Sequence, residues 1–493
     1  MHDAILSPWI GWMLLAVFSV LWITLGWYWG HKARRSLDDY MLAGRNVGLA
    51  LGTATAMATW VTSNTTMAAP QLAYQMGIWG MIGYSLGSMG LILFAPMAER
   101  IKALIPRGYT SGDFVRLRYG KAAWRVFLAI SIFYGLGWLI SMGMAGGLLL
   151  NALTGIRYEV GLTVILIVCM AYTMMGGLYA VIGTDFIQSI LILAGIVLLA
   201  IIAYERVGFE PVHAALAAKR PDLLNLLMPA ALMFLFNNLI FGLGEIFHSN
   251  VWWSRAFAFR KGVGLRAYLL AGIFWAPVPI VAGAVALVAP HLGMNVPAAD
   301  MVGPLVAARL LGAAGAVVIF IVVFSSLASS LDSLLAATSD LIVEDIYRKH
   351  FRPEAEESSL RRASFLTIVL LTVAAWLICL PRVTHLAGMI AFTGAFVGSA
   401  IWPIAAGLYW RKTNPLGATL GMVAGSACGL FAYFYVGWYV AALIGAAVSM
   451  VIVLATTLAA PRDFDWQRLQ EHTDEEPAVE RAPAWVPETV ANA

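Results

Sequence analysis

Long apolar runs separated by short polar segments follow one another along almost the whole chain. About 20 predominantly apolar residues are enough to cross a bilayer as an α-helix. The pattern therefore predicts an all-α membrane protein. The predicted spans number thirteen, at residues 8–30, 47–73, 77–97, 126–151, 158–176, 186–204, 231–254, 267–289, 312–343, 363–380, 384–409, 415–434 and 437–459.

The composition agrees with this interpretation. Of the 493 residues, 61% are hydrophobic and only 12% are charged, whereas soluble domains carry about 25% charged residues. The net charge of +4 is spread over the loops, so no nucleic-acid partner is expected. The cysteines, Cys169, Cys379 and Cys428, lie singly within apolar segments and predict neither a disulfide framework nor a metal site.

The basic residues predict the orientation of the chain. If the N-terminus lies outside, only Arg157, Arg206, Lys219, Arg220, Arg309 and Arg382 fall on the outer side, and 25 of the 31 Lys and Arg residues, Arg255 among them, lie in inner segments. Cytoplasmic loops carry such an excess of Lys and Arg. We therefore expect a multi-pass protein of the cell (inner or plasma) membrane, with its N-terminus outside and a cytoplasmic C-terminus. The polar, Pro-containing tail at 461–493 is predicted to be mostly disordered.

Two predicted spans carry polar residues at membrane depth. The second contains "ATWVTSNTTMAAP" (58–70), and the seventh contains "FNNLIFGLGEIFHSN" (236–250). Non-helical backbone is tolerated there only where protein or a water-filled cavity satisfies it, and a pair of interrupted spans indicates a transporter binding site. Alternatively, such polar side chains only join neighbouring helices.

The positions of the interrupted spans indicate an internal repeat. Spans 2–6 and 7–11 form two units of five helices, each opening with an interrupted helix, and an odd number inverts the second unit. The predicted organisation is an extra helix and loop at 1–46, repeats at 47–206 and 207–412, two C-terminal helices at 413–460 and the tail at 461–493.

The ninth span ends in the hydroxyl-rich stretch "VFSSLASSLDSLLAATSD" (323–340). On a helix Ser325, Ser329 and Ser333 share a face with Asp332, and Ser326 begins a neighbouring row. A carboxylate at the centre of a membrane helix costs about 2.5–3.5 kcal/mol, so Asp332 is expected to be paired. Hydroxyl and carbonyl oxygens suit a small hard cation, which predicts a sodium site between spans 9 and 2.

Three separated motifs carry a resemblance to a known family. They are "LDDYMLAGRNVG" (37–48), "GGLYAVIGTDFIQ" (176–188) and "SSLASSLDSLLAATSDLIVEDIY" (325–347). They resemble signatures of the sodium:solute symporter family, over about residues 8–460. The resemblance implies a LeuT-type fold with a 5+5 inverted repeat, and transport by alternating access.

The resemblance also implies which residues bind the coupling ion. Matched by motif, the family's sodium ligands are the hydroxyls of Ser325 and Ser326 and the carbonyls of Val322, Ala58 and Val61. The family's aspartate on the inner ion path matches Asp185. An aspartate at that place could instead cap the N-terminus of a helix. No cofactor is expected besides the coupling Na⁺.

Other stretches resemble the urea and polyamine branch of the family. They include "AYQMGIWG" (73–80), "SNVWWSRAFA" (249–258) and "FVGSAIWPIAAGLYW" (396–410). Thr65 and Tyr84 stand where sugar-carrying relatives place glutamine and glutamate, which argues against a hexose. The solute is expected to be a small polar molecule such as urea or an amine.

Further candidates for the solute site come from the interrupted spans: Trp60, Thr62, Asn64 and Asn238. Aromatic and amide side chains at such breaks often only pack. Glu245 is a further candidate and the most informative one, because a carboxylate at the break of span 7 could pair with an amine or take up a proton. It could instead bond only to freed backbone amides.

Other classes of protein are less compatible with the chain. There is no GxxxxGK[ST] motif for ATP, and the eight histidines are scattered, so an enzyme is not expected. The absence of a repeated selectivity-filter segment disfavours a channel. A proton-coupled carrier that uses Glu245 remains an alternative, and the sequence does not predict the oligomeric state.

Overall fold

The computed structural model describes residues 5–31, 36–382 and 385–471. Most of the predicted tail, from residue 472, lies outside the described residues, as do Lys32, Arg34 and Arg35 of the first inner loop. Within the described residues the architecture is helical, which confirms the predicted class. A single bridge, Val47 to Phe259, is the one β contact there.

The helices of the described residues are α1 (Pro8–Gly30), α2 (Leu37–Leu42), α3 (Leu49–Trp60), α4 (Ser63–Met76), α5 (Ile78–Ser85), α6 (Ser88–Leu104), α7 (Ser111–Tyr119), α8 (Lys121–Thr154), α9 (Tyr158–Arg206), α10 (Phe209–Lys219), α11 (Pro229–His248), α12 (Asn250–Ala258), α13 (Gly264–Trp275), α14 (Pro277–Ala286), α15 (Val302–Leu341), α16 (Glu357–Cys379), α17 (Leu386–Tyr409), α18 (Pro415–Tyr435), α19 (Ala441–Ala459) and α20 (Gln467–Glu471). A π-helical turn (Ile342–Phe351) continues α15.

Eleven helical segments of the described residues are long and apolar enough to cross a membrane, so the count of thirteen is not confirmed. The second predicted span is divided into α3 and α4, each too short to cross a bilayer. Predicted spans five and six are the two arms of α9, which lie on either side of non-helical backbone at Gly177. A loop of several residues was expected between them, and the structure has this kink instead.

Gly177 kinks α9 with φ +50° and ψ −149°. A Cβ on this residue would lie 2.3 Å from the carbonyl oxygen of Tyr40. Residues with a side chain rarely adopt this positive φ, so the kink requires glycine here.

The interrupted helices lie inside the bundle. α3 and α4 both pack on α15, and α12 packs on α15 and α6. α6 and α11 approach closely at Gly242, where a Cβ would lie 2.7 Å from the Cα of Gly87, and small residues permit such contacts between membrane helices. Large exposed apolar side chains such as Val17, Ile167 and Leu370 lie on the outer helices, where a bilayer would cover them.

Candidate functional site

The second predicted span is broken at Val61 and Thr62, as the sequence predicted. Thr62 and Thr65 form a capping box, in which each side chain accepts from the other's backbone N–H at 3.2 Å. This box starts α4 afresh and releases the carbonyls that end α3. Trp275 donates its Nε1–H to the carbonyl of Trp60 at 2.5 Å.

The serines of α15 join this helix to both halves of the broken helix. Ser326 Oγ lies 3.2 Å from Thr66 Oγ1 on α4, and Ser330 Oγ donates to the carbonyl of Thr59 on α3 at 3.0 Å. The predicted juxtaposition of the ninth span with the second is therefore present. The serine hydroxyls of α15 therefore lie against the backbone at the break between α3 and α4.

The predicted sodium residues are all buried at this junction, with Ala58, Val61, Val322, Ser325 and Ser326 at 0% exposure. Ser325 Oγ has no hydrogen-bond partner. Among the described residues, the carbonyls of Ala58 and Val61 accept no side-chain hydrogen bond, unlike those of Thr59 and Trp60. Ser326 donates to the carbonyl of Val323 at 2.9 Å and keeps lone pairs to accept with. These oxygens suit a small monovalent cation that needs several neutral ligands.

Asp185 lies well inside α9, so the alternative that it caps a helix N-terminus is wrong. It accepts from Ser329 Oγ and Thr55 Oγ1, each at 2.5 Å. Arg255 Nη2 lies 3.3 Å from Oδ2, the oxygen that also accepts from Thr55, and both side chains are fully buried. The pair joins α9 to α12.

Sequence reasoning missed Arg255, which had been counted among the loop residues that orient the chain. In the structure Arg255 lies on α12 and donates to Thr55, Thr59, Ser333 and the carbonyl of Val251. A lone arginine within the aromatic run "WWSRAFAF" was the available signal, since a buried charge in a membrane segment usually has a partner. Its partner is 70 residues away in the chain.

Asp332 contradicts its prediction. It is fully buried on α15, but neither of its carboxylate oxygens has a hydrogen-bond partner. The expected pairing fails because Arg255, the nearby cation, uses its donors on other groups.

Four of the predicted solute residues line one cavity: Trp60, Thr65, Tyr84 and Asn238. The other lining residues, which the sequence did not single out, are Gly87, Trp138, Phe241 and Trp275. The cavity has a volume of about 10 Å³, close to the room that one water molecule needs. None of the lining side chains is charged.

Aromatic rings surround Trp60. Its indole stacks on Trp275 and Trp138, with ring centroids 5.5 and 6.1 Å apart, and meets Trp252 edge-on at 5.5 Å. These rings come from α8, α12 and α13, so no local pattern could have grouped them. Flat faces of this kind can stack on a planar amide or attract an ammonium group.

The other candidates lie outside this cavity. Thr62 caps α4, and Asn64 accepts from Ser141 Oγ at 2.9 Å, with its amide nitrogen unpartnered. Thr62 and Asn64 thus hold the broken helix in place. Asn238, by contrast, lines the cavity and donates to the carbonyl of Gly83 at 2.9 Å.

Glu245 is not at the break of the seventh span, because α11 continues to His248 and the chain breaks at Ser249. Its Oε1 accepts from Tyr134 Oη and, at 3.1 Å, from Trp252 Nε1, while Oε2 has no partner. Trp252 separates it from Trp60. Glu245 therefore lies behind the aromatic wall of the cavity.

Comparison with known proteins gives a family match over residues 40–425, to the model described as the sodium:solute symporter family. A protein of Oryza sativa subsp. japonica, named urea-proton symporter DUR3, is 28% identical over 89% of this chain and 68% of its own length. The osmoregulated proline transporter OpuE of Bacillus subtilis (strain 168) is 26% identical, over 84% of this chain and 86% of its own.

Two solved structures share the fold. A Na⁺-coupled sialic acid symporter, in a substrate-bound outward-open state, aligns over 92% of this chain and 99% of its own with a TM-score of 0.76 and 18% identity. MHP1, a nucleobase-cation-symport-1 family transporter in a closed conformation with bromovinylhydantoin bound, aligns over 88% and 98% with a TM-score of 0.60 and 12% identity. At these identities the likeness concerns the fold alone.

Proposed function

The chain belongs to the sodium:solute symporter family, and we propose that it imports a small polar organic solute together with sodium by alternating access. As a family member it is a multi-pass transmembrane symporter with a LeuT-like fold, and not an enzyme. The sodium coupling, the solute and the orientation belong to the proposal.

One observation carries the sodium coupling. The buried hydroxyl of Ser325, which has no protein partner, lies on the helix that contacts both sides of the break at Val61 and Thr62. A buried hydroxyl without a partner is costly, and a cation that accepts its lone pair offsets that cost. Ser325 and Ser326 with the carbonyls of Ala58, Val61 and Val322 would supply five oxygens.

The proposed topology has thirteen spans, in two inverted five-helix units over 47–206 and 207–412. The N-terminus is placed outside the cell membrane and the C-terminus in the cytoplasm. In this scheme the broken helix α3–α4 and the pair α11–α12 open the two units. With Arg255 removed from the loop count, the remaining inner basic residues still far exceed the outer ones, which supports the orientation.

Sodium entry provides enough energy for uptake. One Na⁺ crossing with the membrane potential contributes about 2.3 kcal/mol per 100 mV. Since about 1.4 kcal/mol corresponds to a factor of ten, this supports roughly fifty-fold accumulation of a neutral solute. The chemical gradient of sodium adds to that ratio.

The solute is proposed to carry amide or amine groups, as urea does. The uncharged lining of the cavity favours a neutral solute over a carboxylate, and the faces of Trp60, Trp138 and Trp275 can stack on a planar amide. Thr65, Tyr84 and Asn238 can give and accept its hydrogen bonds. The relatives named as urea and proline transporters support a small polar solute.

Binding to the purified protein tests the proposal, with a panel of ureas, amines, carboxylates and amino acids that includes proline. We expect a urea or amine to bind, and sodium to strengthen its binding at least tenfold, which is about 1.4 kcal/mol of coupling. Choline chloride at the same ionic strength is the control. Affinity that is equal in sodium and choline would contradict sodium coupling, and preferential binding of a carboxylate would contradict the solute class.

A proton-coupled carrier is the second candidate, because Glu245 is buried with one unpartnered oxygen. We expect Glu245→Gln to keep the sodium stimulation of uptake, since this carboxyl lies behind Trp252 and away from the sodium residues. Uptake measured across pH, with and without sodium, checks this. Sodium-free uptake that is driven by acid and lost in the variant would favour the proton carrier. Unchanged solute affinity and an unchanged pH profile would remove both functional roles of Glu245.

A further inference from the structure

Asp332 is a buried carboxyl to which the proposed sodium site gives no role. It lies in the last third of α15 at 0% exposure, and both of its oxygens lack a hydrogen-bond partner. An ionised carboxylate in this condition carries its full desolvation cost. Some other species must therefore compensate its charge.

Few ionisable groups face Asp332. From α9 they are Asp185, Tyr172 and Cys169, and from α12 Arg255. Tyr172 donates its hydroxyl proton to the carbonyl of Ala328 at 2.8 Å. The group thus contains two carboxyls and one cation, so that one negative charge is left over if both carboxyls are ionised.

Arg255 does not supply the missing partner. Its Nη2 donates to Asp185, Thr59 and Ser333, and its other two nitrogens donate to Thr55 and the carbonyl of Val251. None of these donors reaches Asp332. However, Ser333 follows Asp332 in the chain, so the guanidinium already touches the neighbouring residue.

A proton satisfies Asp332 better than a metal ion does. A sodium ion needs several oxygen ligands, and the Tyr172 hydroxyl beside this carboxylate is already bonded to the carbonyl of Ala328. In the part of the chain that the structure describes, no group of three His, Cys, Asp or Glu residues could hold a metal. A proton needs only one carboxyl oxygen, and it makes the group neutral.

We propose that Asp332 is a proton-binding site of this carrier, and that sodium on the expected ion path, at the Asp185–Arg255 pair rather than at Ser325 and Ser326, releases its proton. This rests on the proposed sodium coupling. Without sodium, Asp185 carries a negative charge, Arg255 a positive one, and Asp332 holds the proton. When Na⁺ takes the place of the guanidinium beside Asp185, Arg255 turns to Asp332, whose proton leaves to bulk water. One cation enters and one leaves, so the charge of the buried group stays the same.

Proton release on sodium binding tests this exchange. The purified full-length protein, without solute, receives NaCl or choline chloride in a weakly buffered solution with a pH indicator, while ²²Na⁺ binding is measured in parallel. We expect up to one proton released per bound protein in sodium, none in choline, and none from Asp332→Asn. By reciprocity, one unit of acidification should weaken sodium binding by up to tenfold in the wild type and less in the variant.

Asp340 provides a matched control, because it is a buried carboxyl on the same helix whose charged neighbour is Glu344 rather than Arg255. Asp340→Asn is expected to keep the release. If sodium binds and no proton appears, or if Asp332→Asn still releases one, the inference is overturned while sodium coupling stands. A release lost equally in Asp340→Asn also overturns it.

Infrared spectroscopy separates the proton site from the coupling. The sodium-free protein should show a carboxylic-acid carbonyl band that shifts in D₂O and is diminished in Asp332→Asn. If no ²²Na⁺ binds at all, the proposed sodium coupling and the exchange both fail, and this band alone decides whether Asp332 holds a proton. A band unchanged by the substitution overturns the site. Asp332→Asn should fold normally, because it has the shape and neutrality of the protonated acid, and thermal unfolding checks this.

Discussion

Replacing Arg255 with methionine is expected to lower solute uptake more than a hundredfold and to destabilise the folded protein by about 3–5 kcal/mol. The substitution removes the partner of a fully buried carboxylate, Asp185, whose charge then has no compensation. It also removes the hydrogen bonds that hold α12 against α3 and α15. Sodium-driven uptake in vesicles and chemical unfolding in detergent measure the two effects.

The double variant Arg255→Met with Asp185→Asn separates stability from transport. With both charges removed, most of the lost stability should return, because replacing a whole buried ion pair is often neutral. Uptake should remain low. Arg260→Met is the matched control, since Arg260 lies just beyond α12, is exposed and bonds to Asn46, and a surface change of this kind stays within about 0.5 kcal/mol. An Arg255→Met protein as stable as the wild type would contradict the ion-pair interpretation.

Replacing Ser325 and Ser326 together with alanine is expected to weaken sodium binding about a hundredfold, which is about 2.8 kcal/mol, and to abolish sodium-stimulated uptake. The change removes both hydroxyls of the proposed site and leaves the backbone carbonyls. The fold should tolerate it, since Ser325 Oγ has no partner to lose and Ser326 gives up bonds worth about 1 kcal/mol each. ²²Na⁺ binding and uptake at varied sodium concentrations measure the effect.

Ser339→Ala is the control for this pair. Ser339 is a buried serine of the same helix, but it donates to the carbonyl of Ser364 on α16, away from the broken helix. It should leave sodium affinity unchanged. Transport by the double variant with the cation dependence of the wild type would refute the proposed sodium site.

The apolar runs were sufficient to predict a helical membrane protein, because a span depends on the hydropathy of consecutive residues. The motifs were sufficient to identify the family, and the threonines of the second span indicated its break, since a capping box is a local arrangement. The serine row also follows from the sequence, because residues four apart share a face of a helix.

For Arg255 and Asp332 the sequence prediction failed because of contacts between distant parts of the chain, whereas for Glu245 and Gly177 the difference is a shifted local boundary. Arg255 was assigned to a loop, but it lies on α12 and pairs with Asp185. Asp332 was expected to be paired, but it has no hydrogen-bond partner because Arg255 bonds to other groups. Glu245 was assigned to a break that occurs at Ser249. At Gly177 a kink takes the place of the loop that was expected between the fifth and sixth spans.

Hydropathy, capping and helical periodicity act over a few residues, so the sequence by itself determined the helical membrane class, the break of the second span and the hydroxyl face of α15. The aromatic rings around Trp60 and the partners of the buried charges come from separate helices, and only the tertiary structure decided them. The physical reason is that a buried charge or ring is stabilised by whatever the packed bundle brings within a few ångströms of it, and distance along the chain does not limit that choice.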